Sequence, residues 1–321
     1  MRLGPLQFKE IFLPAPWGGR ALARLAAKRL PRGERIGESR ELSDRNVVSC
    51  GPLAGRTLQE ILDDHPEELV GRRLKRFPLM IKLLDMKQPI SLQVHPDDRC
   101  ARDMALRDPG KTEAWYVLKG GSPGCLVTGL KSARDAARLE ELIASGAIAG
   151  RLARRDPEPG DLWLCPAGCV HSGGPGLVIL EVQQNSDATF RLHDWNRPGL
   201  DGKPRELHPE QSRRAMTPAS RMRKQTSRPL RGMPFPASRL VACDKFIMDS
   251  WNVPHRAALE KPGRFEILHV LSGRGGLSDG RWPEVTLSKG KTLLLPASVR
   301  AYDLRPERPL HLIRIAEGER R

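Results

Sequence analysis

The sequence predicts a mostly β protein with a helical insertion, built on a barrel or jelly-roll core. Three observations predict it. Short apolar or alternating runs of strand length recur with turn residues between them. The helix-like stretches collect in one region, and a strand spacing from the first half returns in the second. The chain has 321 residues, 39% of them hydrophobic, enough for about two domains with a real core. That composition excludes wholesale disorder and a fibrous protein. No stretch approaches the ~18 apolar residues of a membrane span, and the first ten residues lack a signal-peptide core, so a cytoplasmic location is expected.

Thr57–Arg76 reads as helix, interrupted at Pro66, with Thr57 and Glu60 at capping-box spacing. Leu79–Leu84 and Ile90–Val94 read as strands, Asp97–Arg107 as helix and Ala114–Leu118 as strand. Ser132–Arg154 is rich in Ala, Leu, Arg and Glu and reads as a helix that Ser132 caps. Leu162–Cys165, Leu177–Val182 and Thr189–Leu192 are strands again. Beyond them follow Leu240–Trp251, Phe265–Leu271, Thr292–Leu295 and Leu310–Ile315. Six scattered cysteines form no Cys-x-x-Cys pair and read as reduced thiols.

Between Gln211 and Cys243 lie eight basic residues, no acidic one and four prolines. Half of the net charge of +16 therefore sits in this one segment, which reads as an exposed connector. The expected division is residues 1–205, a basic connector over 206–239, and 240–321. A spacing supports duplication of the core. Glu113, Gly120, Gly160, Pro166-Ala167-Gly168 and His171 recur as Glu266, Gly273, Gly290, Pro296-Ala297-Ser298 and Ala301. The second copy is degenerate because alanine replaces the histidine.

On a strand, Ser91, Gln93 and His95 share one face while Leu92 and Val94 take the other. Lys111 and Glu113 likewise share a face, and His171 follows the turn Pro166-Ala167-Gly168. Gln93, His95, Glu113 and His171 together offer two imidazoles, a carboxylate and an amide oxygen. That mixed N/O set suits Zn²⁺ or a neighbouring first-row divalent ion. Cys165, Cys169 and His171 form a competing trio without a fourth ligand nearby.

At these residues the chain resembles type I mannose-6-phosphate isomerase, a zinc-dependent family of the cupin superfamily, in its shorter bacterial form. The resemblance runs through Pro16-Trp17-Gly18-Gly19, Gly37-Glu38-Ser39, Gly51-Pro52-Leu53-Ala54-Gly55 and Ser91-Leu92-Gln93-Val94-His95-Pro96-Asp97-Asp98. It continues through Gly110-Lys111-Thr112-Glu113-Ala114-Trp115-Tyr116, Pro166-Ala167-Gly168-Cys169-Val170-His171, Glu181-Val182-Gln183-Gln184-Asn185-Ser186-Asp187 and Thr189-Phe190-Arg191-Leu192-His193-Asp194-Trp195. It implies two cupin-like jelly-roll barrels, the first a metal-binding catalytic domain and the second degenerate. It implies one zinc per chain on Gln93, His95, Glu113 and His171, a sugar-phosphate substrate, and interconversion of mannose 6-phosphate and fructose 6-phosphate. It further implies an active-site role for Arg191, Lys111 and Glu181, and phosphate binding by Lys82 and Ser91. Two positions depart from the family: Gly110 stands where longer members carry a histidine, and Arg40 where many carry Trp.

Moving a proton between two sugar carbons needs a polarised carbonyl and a base. Lys111 is the first candidate base, since a cation on Glu113 would depress its pKa. Glu181 is the second. Two rival classes stay open on the residues alone: another cupin metalloenzyme (a different isomerase or an iron oxygenase), and a basic nucleic-acid-binding protein. The connector lacks the interleaved aromatics that the nucleic-acid reading wants, so nucleic acid is not an expected partner; with no stretch of membrane-span length, neither is a membrane.

Overall fold

The computed structural model describes residues 3–319. The protein is mostly β, as expected, and its strands gather into two large antiparallel sheets. In chain order the strands that place the site are β1 (Ile11–Gly19), β2 (Ile36–Leu42), β3 (Leu79–Met86), β4 (Leu92–Val94), β5 (Glu113–Lys119), β6 (Leu162–Cys165), β7 (Leu177–Gln184) and β8 (Phe190–His193). After the basic segment come β9 (Ala237–Ala242), β10 (Phe246–Val253), β11 (Glu266–Ser278), β12 (Thr292–Leu295) and β13 (Ala301–Glu317). The first sheet runs β6-β5-β7-β3-β2-β1, and the second contains β12-β11-β13-β10-β9. Strands β4 and β8 pair separately, lying off the first sheet.

The duplication is visible in the register. Glu113 pairs with Cys165 and Gln183, and Glu266 pairs with Leu295 and Ala316. The turn bonds match as well: Gly160 N donates to the Val117 carbonyl at 2.9 Å, and Gly290 N to the Val270 carbonyl at 2.8 Å. The next row of the first sheet reads Trp163, Trp115, Glu181, Lys82, Arg40. Its counterpart in the second sheet reads Leu293, Leu268, Arg314, Asp249, Arg239.

Alternation sorts each sheet into two faces. Ile81, Leu83, Leu180 and Val182 of the first sheet meet Met248, Ile267, Ile313 and Ile315 of the second in the largest core cluster. The sheets therefore pack back to back, and their other faces look away from each other. On the first sheet, the face turned away from the second sheet is apolar around Leu84, Met86, Trp115 and Val117 and polar around Lys82, Glu113 and Glu181. Strands β3 and β7 are buried along their whole length, which explains their nearly continuous apolar sequence.

The helical readings need correction at their ends. The capping box at Thr57 is present, but the helices end at Asp64 and Val70, the second stopped by Gly71 at φ 83°. Asp97 caps a helix over Asp98–Asp103. Ser132–Arg154 is not one helix. It divides into a 3₁₀ turn, a short α-helix over Leu139–Ala144 and a second 3₁₀ turn, because Gly146 takes φ 71°. Residues Leu152–Arg155 then form a strand. Leu240–Trp251 is likewise two strands, turned at Cys243, whose N–H donates to the Phe246 carbonyl. Strand β1 escaped the sequence reading because it holds Pro14 and Pro16, which an edge strand tolerates.

The basic segment holds a helix over Pro209–Ala215, then Arg223–Lys224 paired with β6 and Arg228–Pro229 paired with β9. Met222 and Phe235 are buried, while Arg223, Arg228 and Arg231 stay exposed. All six cysteines are free thiols. No helix among the described residues is long and apolar enough to cross a membrane.

Candidate metal centre and active site

Three of the four expected ligands converge. Ligand atoms of His95, Glu113 and His171 all lie within 4.8 Å of one another, and each residue is buried. Glu113 comes from the start of β5, His95 follows β4, and His171 is bridged to Gln93 by backbone bonds of 3.0 and 2.9 Å. The metal cluster found among the described residues is this one, and the Cys165–Cys169–His171 trio is not.

The tautomers follow from the partners. His95 Nδ1 lies 2.9 Å from the Ala188 carbonyl and His171 Nδ1 2.9 Å from the Cys169 carbonyl. A carbonyl only accepts, so each Nδ1 carries the proton and each Nε2 turns a lone pair toward Glu113. The Nε2 atoms stand 3.4 and 3.2 Å from the carboxylate, whose two oxygens are buried without a hydrogen-bond partner. An orphaned, fully buried carboxylate facing two lone pairs is costly alone and fits a divalent cation. Burial and then Lys111 push His95 down to about 3, which keeps that imidazole neutral. Burial alone would raise Glu113, but the charge of Lys111 leads the groups that oppose it and the carboxyl is held well below its usual range.

Gln93 sits beside this cluster, with Nε2 3.2 Å from His171 Nε2 and Oε1 accepting from the Ser91 hydroxyl at 3.2 Å. The amide ends are interchangeable, and a half-turn presents the oxygen to the cluster instead. Lys111 Nζ stands 3.2 Å from Glu113 and 3.2 Å from His95 Nε2. Burial opposes its charge, yet Glu113, Glu181 and Glu38 prevail and raise its pKa above that of an ordinary lysine.

Glu181 and Lys82 are Cα partners across β7 and β3, 3.5 Å apart at Oε2 and Nζ. Trp115 Nε1 donates to Glu181 Oε1 at 2.9 Å, and Oε2 is buried without a hydrogen bond. Burial first, and then the charge of Glu113, raise the Glu181 carboxyl against the pull of Lys82 and Lys111. Arg191 pairs with Gln93 across β8 and β4, so both point to one face. Its Nη1 donates to the Glu206 carbonyl at 2.7 Å, and its Nε is buried without a partner. Asp194 binds Arg197 and Arg205, and Asp187 binds Arg40, so neither carboxylate engages Arg191. Ser91 touches Gln93, and Lys82 touches Glu38 and Glu181; no hydrogen bond joins Ser91 to Lys82 among the described residues. Trp17, Trp115 and Trp163 belong to one apolar cluster and Trp195 packs against another, so all four serve as core aromatics.

Glu38, Arg40 and Asp187 also face the site, and the sequence did not single out their roles. Glu38 Oε2 is 3.3 Å from Lys82, and Arg40 binds Asp187 through Nη1 and Nη2 at 3.3 and 2.8 Å. The signal was present in Ile36-Gly37-Glu38-Ser39-Arg40-Glu41-Leu42, where Glu38 and Arg40 alternate. Polar residues on the other face, Ser39 and Glu41, hide it.

The second sheet shows how such a site closes. Arg314 replaces Glu181 in the row, and its guanidinium pairs with Glu266 and lies 3.1 Å from Asp249. Tyr302 donates to Glu266 at 3.3 Å, and Arg239 pairs with Asp249. A covalently tethered cation thus answers carboxylates at the position where the first sheet offers ligands. Arg314→Met is expected to destabilise the protein by about 3–5 kcal/mol, because the buried Glu266 carboxylate loses its counter-charge and Asp249 is left with Arg239 alone. Urea unfolding checks this, and the metal content per chain should not change.

Comparison with known proteins agrees with this geometry. Residues 15–114 match the family described as phosphomannose isomerase type I, catalytic domain. The mannose-6-phosphate isomerase ManA of Bacillus subtilis is 32% identical over 308 residues, covering 95% of this chain and 96% of that protein. A mannose-6-phosphate isomerase of Streptococcus mutans is 31% identical over 89% of this chain and 90% of its own length. The crystal structure of the Bacillus subtilis mannose 6-phosphate isomerase superposes with a TM-score of 0.89 at 31% identity, covering 98% of this chain and 99% of that one. A mannose 6-phosphate isomerase structure described as zinc-bound shares the fold, with a TM-score of 0.76 at 15% identity over 98% of this chain and all of the other. With such identity along nearly its whole length, the chain belongs to the type I phosphomannose isomerase family.

Proposed function

We propose that this chain interconverts mannose 6-phosphate and fructose 6-phosphate as a metal-dependent aldose–ketose isomerase, with Gln93, His95, Glu113 and His171 holding one zinc ion. The observation that carries the site assignment is the buried Glu113 carboxylate, unpartnered by hydrogen bonds, between two imidazoles whose lone pairs face it. A zinc ion held there supplies Lewis acidity toward the sugar's carbonyl oxygen.

The chain's own residues do the rest. Glu181 carries the proton between C1 and C2 through an enediol-type intermediate. Its buried Oε2 and raised pKa support that role, since a base works best near the operating pH. Lys111, kept cationic by three carboxylates, donates toward the oxygen where negative charge develops. The order of the two base candidates is thereby reversed from the sequence expectation. Arg191 orients a substrate hydroxyl with its forked donors. Lys82 and Ser91 hold the 6-phosphate by a charge and a hydroxyl. Residues 1–205 then carry the chemistry, 206–239 tie the sheets together, and 240–321 brace the first sheet from behind.

A coupled assay on purified protein tests this. Turnover of mannose 6-phosphate should vanish after chelation and return with zinc. Metal-replete protein without turnover would refute the activity.

A further inference from the structure

Arg40 plays no part in the roles assigned above, yet its surroundings set it apart. It lies on β2 as the direct cross-strand partner of Lys82 on β3. Like charges directly opposite one another in an antiparallel pair are destabilising. Here both are largely withdrawn from water, the Lys82 side chain being 6% exposed and that of Arg40 13%. Three carboxylates lie against the pair, one of them Glu181, 3.5 Å from Lys82 Nζ. Glu38 Oε2 lies 3.3 Å from Lys82 Nζ and 3.9 Å from Arg40 Nε, while Asp187 takes both terminal nitrogens of Arg40. Arg40 Nε is still buried without a hydrogen-bond partner.

The second sheet has resolved the same position differently. There the paired residues are Arg239 and Asp249, a cation opposite an anion, joined as a salt bridge. The first sheet instead keeps two cations side by side on a buried face, with a guanidinium donor unused. That arrangement lowers its cost when an anion binds between them. A phosphate dianion has the charge and the acceptor oxygens to meet an ammonium and a guanidinium edge together.

We propose that Arg40 is a second phosphate-binding residue, gripping the substrate's 6-phosphate together with Lys82; this rests on the assignment of Lys82 to the phosphate. Asp187, its side chain 30% exposed and 3.8 Å from Arg45, holds the Arg40 fork in the absence of substrate and turns to Arg45 when phosphate arrives.

The test uses the full-length metal-replete enzyme, with inorganic phosphate as a competitive inhibitor. Arg40→Gln should raise KM for mannose 6-phosphate about tenfold, the loss of one charge-assisted contact, with a smaller fall in kcat. The inhibition constant of inorganic phosphate should rise in step. Asp187→Asn distinguishes binding from bracing: by removing the carboxylate that competes with phosphate for the Arg40 fork it should lower KM, whereas a merely structural Arg40–Asp187 pair would make it raise KM as Arg40→Gln does. Should Arg40→Gln fail to fold, Arg40→Lys, which keeps the charge and loses the fork, should still raise both constants about threefold. Unchanged constants in the Arg40 variants, with both raised in Lys82→Gln, would overturn the proposal and leave the Lys82 site standing. Unchanged constants in Lys82→Gln as well would overturn both.

Discussion

Replacing His171 by alanine is expected to remove the metal and to lower turnover by about three orders of magnitude or more, without unfolding the protein. The imidazole is fully buried, its Nδ1 is committed to the Cys169 carbonyl, and its Nε2 has no role except toward the Glu113 cluster. Removing it leaves one imidazole, one carboxylate and the weakly donating Gln93 amide, a poorer set for holding a divalent ion against chelators than the three strong ligands of a catalytic zinc site. The fold should survive for two reasons. The second sheet is built with Ala301 at the equivalent spacing, and Lys111, 3.2 Å from Glu113, remains to balance the carboxylate. Elemental analysis gives the metal per chain, and thermal unfolding controls for the fold. Full metal content together with full activity would remove His171 from the ligand set.

Much of this site could be read from the sequence because its proposed ligands sit where local geometry is simple. Gln93 and His95 are two apart on a strand, Lys111 and Glu113 are two apart at the entry to another, and alternation alone fixes their faces. The duplicated spacing was legible for the same reason: Glu113 and Glu266 begin strands, and the glycines after them close the turns back onto Val117 and Val270. What stayed hidden depends on pairing between strands. That Arg40 faces Lys82, and Lys82 faces Glu181, follows only from a register that joins residues more than forty positions apart. The replacement of Glu181 by Arg314 in the second sheet was invisible for that reason too. The extent of the insertion's helix was misread because Ala, Leu, Arg and Glu favour a helix locally, while Gly146 in the left-handed region ends it. For Lys111, a metal ion alone predicts a depressed pKa, but the folded chain adds three carboxylates that pull the other way.

Glu181→Gln is expected to lower kcat by about 10²- to 10⁴-fold while moving KM little. The amide retains an oxygen to accept from Trp115 Nε1, so the pocket keeps its shape and loses only the capacity to exchange a proton. Burial and Glu113 raise this carboxyl, so in the native enzyme the acidic limb of the kcat profile should lie above the ordinary glutamate range. The sign follows directly. Below that pKa the protonated side chain cannot accept the C–H proton and turnover falls; above it the carboxylate is available. In the variant the limb disappears. Stability runs the opposite way, since a carboxyl whose folded pKa is raised stabilises the fold below its unfolded value and loses that contribution as pH climbs through the folded one. Glu181→Gln should therefore unfold no earlier than the native protein at pH 8. Solvent deuterium exchange at the migrating position separates the two candidate bases. Loss of exchange in Glu181→Gln and its retention in Lys111→Met place the proton on the carboxylate; the reverse pattern places it on the lysine and overturns the assignment of Glu181.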